Sequence, residues 1–219
     1  VGFLEYSRPL RLYAADVSKP SLDQAMQRVS LHSGDVTPLK LREDAIEIPL
    51  ESGSVDYVHC SGVLMLVTDP LAVLKEFRRV LKPTGRARLM VYNYDSIWLH
   101  LYVAYLLMLK EPRYRGLTLK EAFDRSTDGE DCPINRCWRI DEFTRLGQEA
   151  GFISAHLGNA ISAIEMSLLP QRFSAIMSQE LPKEHREFLR DLTFDSCGRP
   201  RSNGSVAGID GCFEFTVPR

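Results

Sequence analysis

Between Asp44 and Asn93 the pattern of apolar and polar positions changes period twice. Val55 to Cys60 is an apolar-rich run of strand length. Leu71, Leu74, Phe77, Val80 and Leu81 then recur at three- and four-residue steps, which puts them on one face of a helix. After Lys82-Pro83-Thr84-Gly85 a second strand begins, Arg88 to Tyr92. This order predicts one crossover unit of a doubly wound, mostly parallel α/β sheet with helices over both faces. Ligands of such sheets gather beyond the carboxyl ends of the strands, so Cys60-Ser61-Gly62 and Tyr92-Asn93-Tyr94 are the ends of interest.

The flanks extend the pattern. Val1 to Ser7 reads as a short helix stopped by Arg8-Pro9, and Leu10 to Ala15 as a strand ending at Asp16. Ser18-Lys19-Pro20-Ser21 opens a helix through Val29, because Ser caps and an early Pro fits the first turn. Pro38 to Glu43 alternates as a strand. Further on, Ile97 to Leu109 forms a helix apolar nearly all round, which must be buried or cover something apolar. Arg125 to Trp138 is a polar loop, Asp141 to Ala150 a helix closed by Gly151, and Phe152 the start of another strand. Leu181 to Phe194 carries a helix, and Cys212 to Val217 alternates as a final strand.

Composition narrows the classes. A chain of 219 residues suits a single domain with an elaboration. With 27 Lys plus Arg against 29 Asp plus Glu, no global basic field points to nucleic acid. Five cysteines form no dense framework, so reduced thiols and a cytoplasmic setting are expected. Cys132 and Cys137 stand at the long limit of a zinc-knuckle spacing without a second pair of ligands, and no metal is expected. The opening residues do not read as a signal peptide, and the Ile97 to Leu109 run is shorter than the ~20 residues of a membrane span.

The ordered series Asp44-Ala45, Pro49-Leu50, Gly53-Ser54-Val55-Asp56-Tyr57-Val58 and Leu74-Lys75-Glu76-Phe77-Arg78-Arg79-Val80-Leu81-Lys82-Pro83-Thr84-Gly85 resembles class I S-adenosylmethionine-dependent methyltransferases, over about residues 1 to 93. The resemblance implies a Rossmann-like fold with an antiparallel last strand, S-adenosyl-L-methionine as cofactor and methyl transfer to a small-molecule acceptor. It makes Asp16, followed by Val17, the acid on the ribose hydroxyls; a carboxylate suits that task because it offers two acceptor oxygens to neighbouring donors. Read without it, Asp16 is equally a turn residue or helix cap. It places Asp44 and Ala45 at the adenine, where composition alone suggests a solvated loop acid. It sets the Cys60, Ser61 and Gly62 backbone against the cofactor's amino group. Cys60 itself reads as a small apolar residue rather than a nucleophile.

Two departures from the family follow. The glycine-rich loop and strand that precede Asp16 in the family have no counterpart here, so the chain reads as amino-terminally truncated, with a vacancy expected between its second and fourth family strands. Met65-Leu66 occupy the segment where many relatives carry a His. The stretch 94–139, inserted after the fifth family strand, is expected to be a lid or, as readily, a packing appendage. Tyr92, Tyr94, His100 and Asp128 are the polar candidates on the acceptor side. A non-catalytic binding domain on the same scaffold is the alternative.

Overall fold

Apolar periodicity becomes packing first in the crossover unit. In the computed structural model, which describes residues 2–32, 34–44, 46–129, 131–132 and 134–218, a π-wound turn Phe3–Ser7 is followed by strand β1 (Leu12–Asp16), helix α1 (Lys19–Val29) and strand β2 (Val36–Lys40). Then come β3 (Val55–Ser61), α2 (Pro70–Val80) and β4 (Leu81–Asn93). Asp69 caps α2 by accepting from the Ala72 amide at 2.9 Å, with Pro70 in the first turn where its missing N–H costs nothing. Val73, Leu74, Phe77 and Val80 are buried against the sheet.

The rest of the chain adds a helical layer and closes the sheet. A π-wound helix Trp98–Lys110 is followed by α3 (Leu119–Asp124), β5 (Cys137–Trp138), α4 (Ile140–Glu149) and β6 (Ile153–Ala160). Next are α5 (Ala163–Leu168), α6 (Arg172–Met177), α7 (Lys183–Arg190), β7 (Thr193–Phe194), β8 (Pro200–Ser202), β9 (Ser205–Val206) and β10 (Asp210–Thr216). The strand order is β3-β4-β10-β6, with β3 parallel to β4 and β10 antiparallel to both neighbours. Phe143, Phe213 and Phe215 interlock at 4.8 and 5.5 Å in the core between α4 and β10.

Strands β1 and β2 pair in parallel as a separate two-stranded sheet, and among the described residues no ladder joins β1 to β3. The Phe3 ring meets Tyr57 and His59 at 5.9 and 5.2 Å. Arg79 ties the connecting segment to α2, donating to the carbonyls of Ile48 and Leu50 at 2.9 Å each.

Several boundaries differ from the sequence reading. The strand expected over Pro38 to Glu43 is Val36–Lys40, because Val36 is its buried residue while residues 42–44 are exposed. Lys82 to Gly85 does not interrupt the second crossover strand: β4 starts at Leu81 and absorbs the Pro-Thr-Gly through a register shift between Val55 and Tyr57. The helix expected within Leu181 to Phe194 is Lys183–Arg190, and Thr193–Phe194 beyond it pairs with β8. Among the described residues no helix is long and apolar enough to cross a membrane.

Candidate functional site

Three groups of the expected residues lie at strand ends. Asp16 closes β1, where its Oδ1 accepts from the Ser18 amide at 2.7 Å and its backbone carbonyl accepts from the Leu41 amide at 2.9 Å. Lys40 donates to the Val17 carbonyl, so the ends of β1 and β2 are held together. Asp44 lies beyond β2, exposed, with Oδ1 accepting from Ile46 at 3.2 Å and Arg42 at 3.8 Å from Oδ2. Ala45 lies outside the described residues. Among the described residues, Oδ2 of each carboxylate accepts no short hydrogen bond, which fits the hydroxyl and amine donors of an adenosine.

The second group is the end of β3. Ser61 stands opposite Met90, and Gly62 takes φ +73°, a left-handed turn that favours glycine, with its amide donating to the Met90 carbonyl at 3.1 Å. Added at Gly62, a Cβ would meet only the Met90 methyl at 3.6 Å, so the backbone there is open to a ligand. Cys60 is buried and its thiol is pushed up to about 12 by that burial, which keeps it protonated. Among the described residues before Asp16, Gly2 is the only glycine and sits in right-handed conformation ahead of a helical turn. The described residues thus fit the adenosine half of the cofactor; none of them forms a glycine cradle for its amino-acid half.

A third group surrounds the end of β4. The Tyr92 hydroxyl donates to Asp128 at 3.1 Å, and Asn135, fully buried, donates to the same carboxylate at 2.9 Å. Burial first, then Asp128, raises the Tyr92 phenol to about 12. Tyr94 donates to Glu184 at 3.0 Å and lies 4.0 Å below the Arg139 guanidinium; burial and Glu184 raise it to about 12 as well. Arg139 also bonds Asp95 at 2.7 Å and Glu184 at 3.0 Å, while burial pushes the Asp95 carboxyl upward. His100 is buried, 2.8 Å from His185 Nδ1 to Nδ1 and stacked on Phe188, so it faces the protein interior rather than an open pocket. Asp95 also lines a cleft of about 550 Å³ between α4, the end of β6 and the β8–β9 hairpin, large enough for a small molecule.

Asn135, Arg139, Glu184 and His185 were not foreseen. Arg139 carried a signal, since Arg139-Ile140-Asp141-Glu142 opens a helix and Glu142 accepts from the Arg139 amide at 2.8 Å. The others join the site only through tertiary packing.

Residues 2–89 match the family model described as a methyltransferase domain. Over 93 residues the chain is 34% identical to an uncharacterized 37.1 kDa protein of a Streptomyces fradiae transposon, covering 40% of this chain and 24% of that protein. Over 95 residues it is 34% identical to the ubiquinone/menaquinone biosynthesis C-methyltransferase UbiE of Cupriavidus taiwanensis, covering 43% of this chain and 37% of the relative. The matched stretch therefore spans well under half of either curated relative. Among solved structures, a SAM-dependent methyltransferase from Thermotoga maritima superposes with TM-score 0.55 at 17% identity, covering 94% of this chain and 73% of that one. The [4+2]-cyclase SpnF superposes with TM-score 0.54 at 15% identity, covering 98% and 70%. The α/β sheet with its antiparallel β10 and the two superpositions give the chain a Rossmann-like methyltransferase fold, and its residues 2–89 match the methyltransferase-domain model.

Proposed function

We propose that the protein transfers a methyl group from S-adenosyl-L-methionine to a small-molecule acceptor. The observation that carries this reading is the family match over residues 2–89, which ends inside β4 and so includes Asp16, Asp44 and Ser61-Gly62. When bound, the cofactor supplies a methyl group activated by its sulfonium. Methyl transfer is an in-line displacement that needs alignment more than covalent help. Asp16 holds the ribose, Asp44 the adenine edge, and the open backbone at Gly62 lets the ligand approach closely. Tyr92 and Tyr94, both protonated at neutral pH, give their protons to Asp128 and Glu184, so they orient an acceptor through their oxygen lone pairs and do not act as bases. The cleft beside Asp95, walled by α4 and the β8–β9 hairpin, supports a small acceptor.

Calorimetric titration with S-adenosylmethionine tests the reading. Asp16→Asn should weaken binding by about 10- to 100-fold, the range for a lost charge-assisted hydrogen bond, without lowering the melting temperature. An unchanged affinity would remove Asp16 from the site. Labelled methyl transfer into fractionated cell extract then identifies the acceptor. A second reading, a binding or non-methyltransferase domain on the same scaffold, draws on the cyclase that shares the fold, since fold alone does not fix chemistry. Wild-type protein that binds no cofactor would favour it.

A further inference from the structure

The carboxyl end of β4 gathers carboxylates that no described cation neutralises. Asp210 lies directly opposite Tyr92 across the antiparallel β4–β10 ladder, so the two side chains stand on one face of the sheet. From that face the Tyr92 hydroxyl reaches Asp128, and the Phe123 ring stands edge-on to Tyr92 at 6.0 Å. Asp128 and Asp210 both act on Tyr92 as neighbouring charges.

Other partly buried carboxylates of the chain meet a cation. Asp95 meets Arg139 at 2.7 Å, Glu76 meets Arg79 at 2.7 Å and Glu214 meets Arg88 at 2.9 Å. Among the described residues neither Asp128 nor Asp210 has an ion pair, and the half-buried Asp210 side chain has no hydrogen bond either. Burial without a partner pushes the Asp210 carboxyl upward, a cost that a nearby cation relieves.

Asn135 points to the same ligand chemistry independently. It is fully buried, its Nδ2 donates to Thr127 and to Asp128 Oδ2, and its Oδ1 has no partner. Turning the amide over would set its oxygen against the Asp128 carboxylate, so the unpartnered atom is the acceptor. Asp128 Oδ2 takes both the Tyr92 and the Asn135 protons, which leaves Oδ1 of this exposed side chain for a further donor.

We propose that the face formed by Tyr92, Asp128, Asn135 and Asp210 binds the protonated amine of a small-molecule ligand.

An ammonium group brings three donors, no acceptor and one positive charge to a place that holds acceptors and negative charge. A hydroxyl would satisfy the acceptors but leave the charge. A divalent metal fits less well, since among the described residues no group of three or more His, Cys, Asp or Glu side chains gathers around a common point, and a hard cation takes about six oxygens or more. That this ligand is the methyl acceptor rests on the proposed function; the amine site itself does not.

Titration of the isotope-labelled full chain, without cofactor, tests the site through its amide chemical shifts. The probes are phenethylamine and its neutral counterpart phenethyl alcohol, whose shared ring suits the Tyr92–Phe123 edge. At neutral pH the amine should bind about tenfold or more tightly than the alcohol, with shifts centred on Tyr92, Asp128, Asn135 and Asp210. Asp128→Asn should remove about tenfold of the amine affinity and leave that of the alcohol unchanged. Asp210→Asn makes the same comparison if the first variant does not fold. Equal affinities, no saturable binding of the amine, or a preference that survives both substitutions would overturn the site. Calorimetry with S-adenosylmethionine reports separately on the function: protein that binds the amine but not the cofactor keeps the site and removes its role for a methyl acceptor.

Discussion

Glu165 shows how one buried side chain closes two helices. It has no solvent exposure; Oε1 accepts from the Trp98 amide at 3.2 Å, and Oε2 accepts from the Ser162 amide at 2.9 Å and hydroxyl at 3.0 Å. It thus satisfies first-turn donors of α5 and of the Trp98–Lys110 helix together. Glu165→Ala leaves those donors buried and should cost roughly 2–4 kcal/mol in urea unfolding, a lost cap plus an unsatisfied amide. A cost within a few tenths of a kcal/mol would mean that water replaces the carboxylate. The Ser162-x-x-Glu165 half of this arrangement is readable as a capping box, but its Trp98 partner stands 67 residues away and no local rule reaches it. The site behaves alike: Asp16 is legible because an apolar run ends on it, whereas Asn135 and Glu184 carry no local pattern that points to β4.

At the scale of elements, the crossover of β6 and the entry to β10 depends on Gly208. A Cβ there would lie 2.0 Å from the Ala160 carbonyl oxygen, a backbone atom fixed at the end of β6. The closeness lets the Gly208 carbonyl accept from the Asn93 side chain at 3.0 Å and the Ile209 carbonyl accept from the Asn93 amide at 2.6 Å, which fixes the end of β4. Gly208→Ala must push the chains apart and should cost about 3 kcal/mol or more, or prevent folding. A thermal melt within a degree or two of wild type would show that the crossover can relax. Sequence reading found the helix behind this crossover, since its all-round apolar character predicts burial and Leu99, Leu101, Val103 and Leu107 are all buried. It misplaced the bounds of β2, because a short polar-rich strand takes its limits from its pairing partner rather than from its own periodicity.

Considered as a whole molecule, the chain holds, beside the small β7-β8-β9 sheet, two sheets of unequal security. The β3-β4-β10-β6 sheet is covered by α2 and α4 and shares a core running from Ile48 to Val217. By contrast β1 and β2 have α1 and three buried apolar side chains nearby, Leu4, Leu22 and Val36, while Tyr6, Leu10 and Leu31 stand in water. The two strands and the helix between them were legible from the apolar pattern and the Ser-Lys-Pro-Ser cap, but how the two sheets hold together was not. Phe3 contributes ring contacts with Tyr57 and His59, and Arg79 bonds to Ile48 and Leu50. These few contacts bury little apolar surface, so opening of the smaller sheet should not require unfolding of the larger. Native-state hydrogen exchange should therefore show residues 12–16 and 36–40 exchanging at a free energy below that of residues 86–92 and 210–216. An S-adenosylmethionine ligand spanning Asp16 and Gly62 would narrow the difference, because only the closed arrangement presents both ends. Equal protection in the free protein would mean that the two sheets unfold as one unit, and that the contacts between the sheets couple them far more strongly than their area suggests.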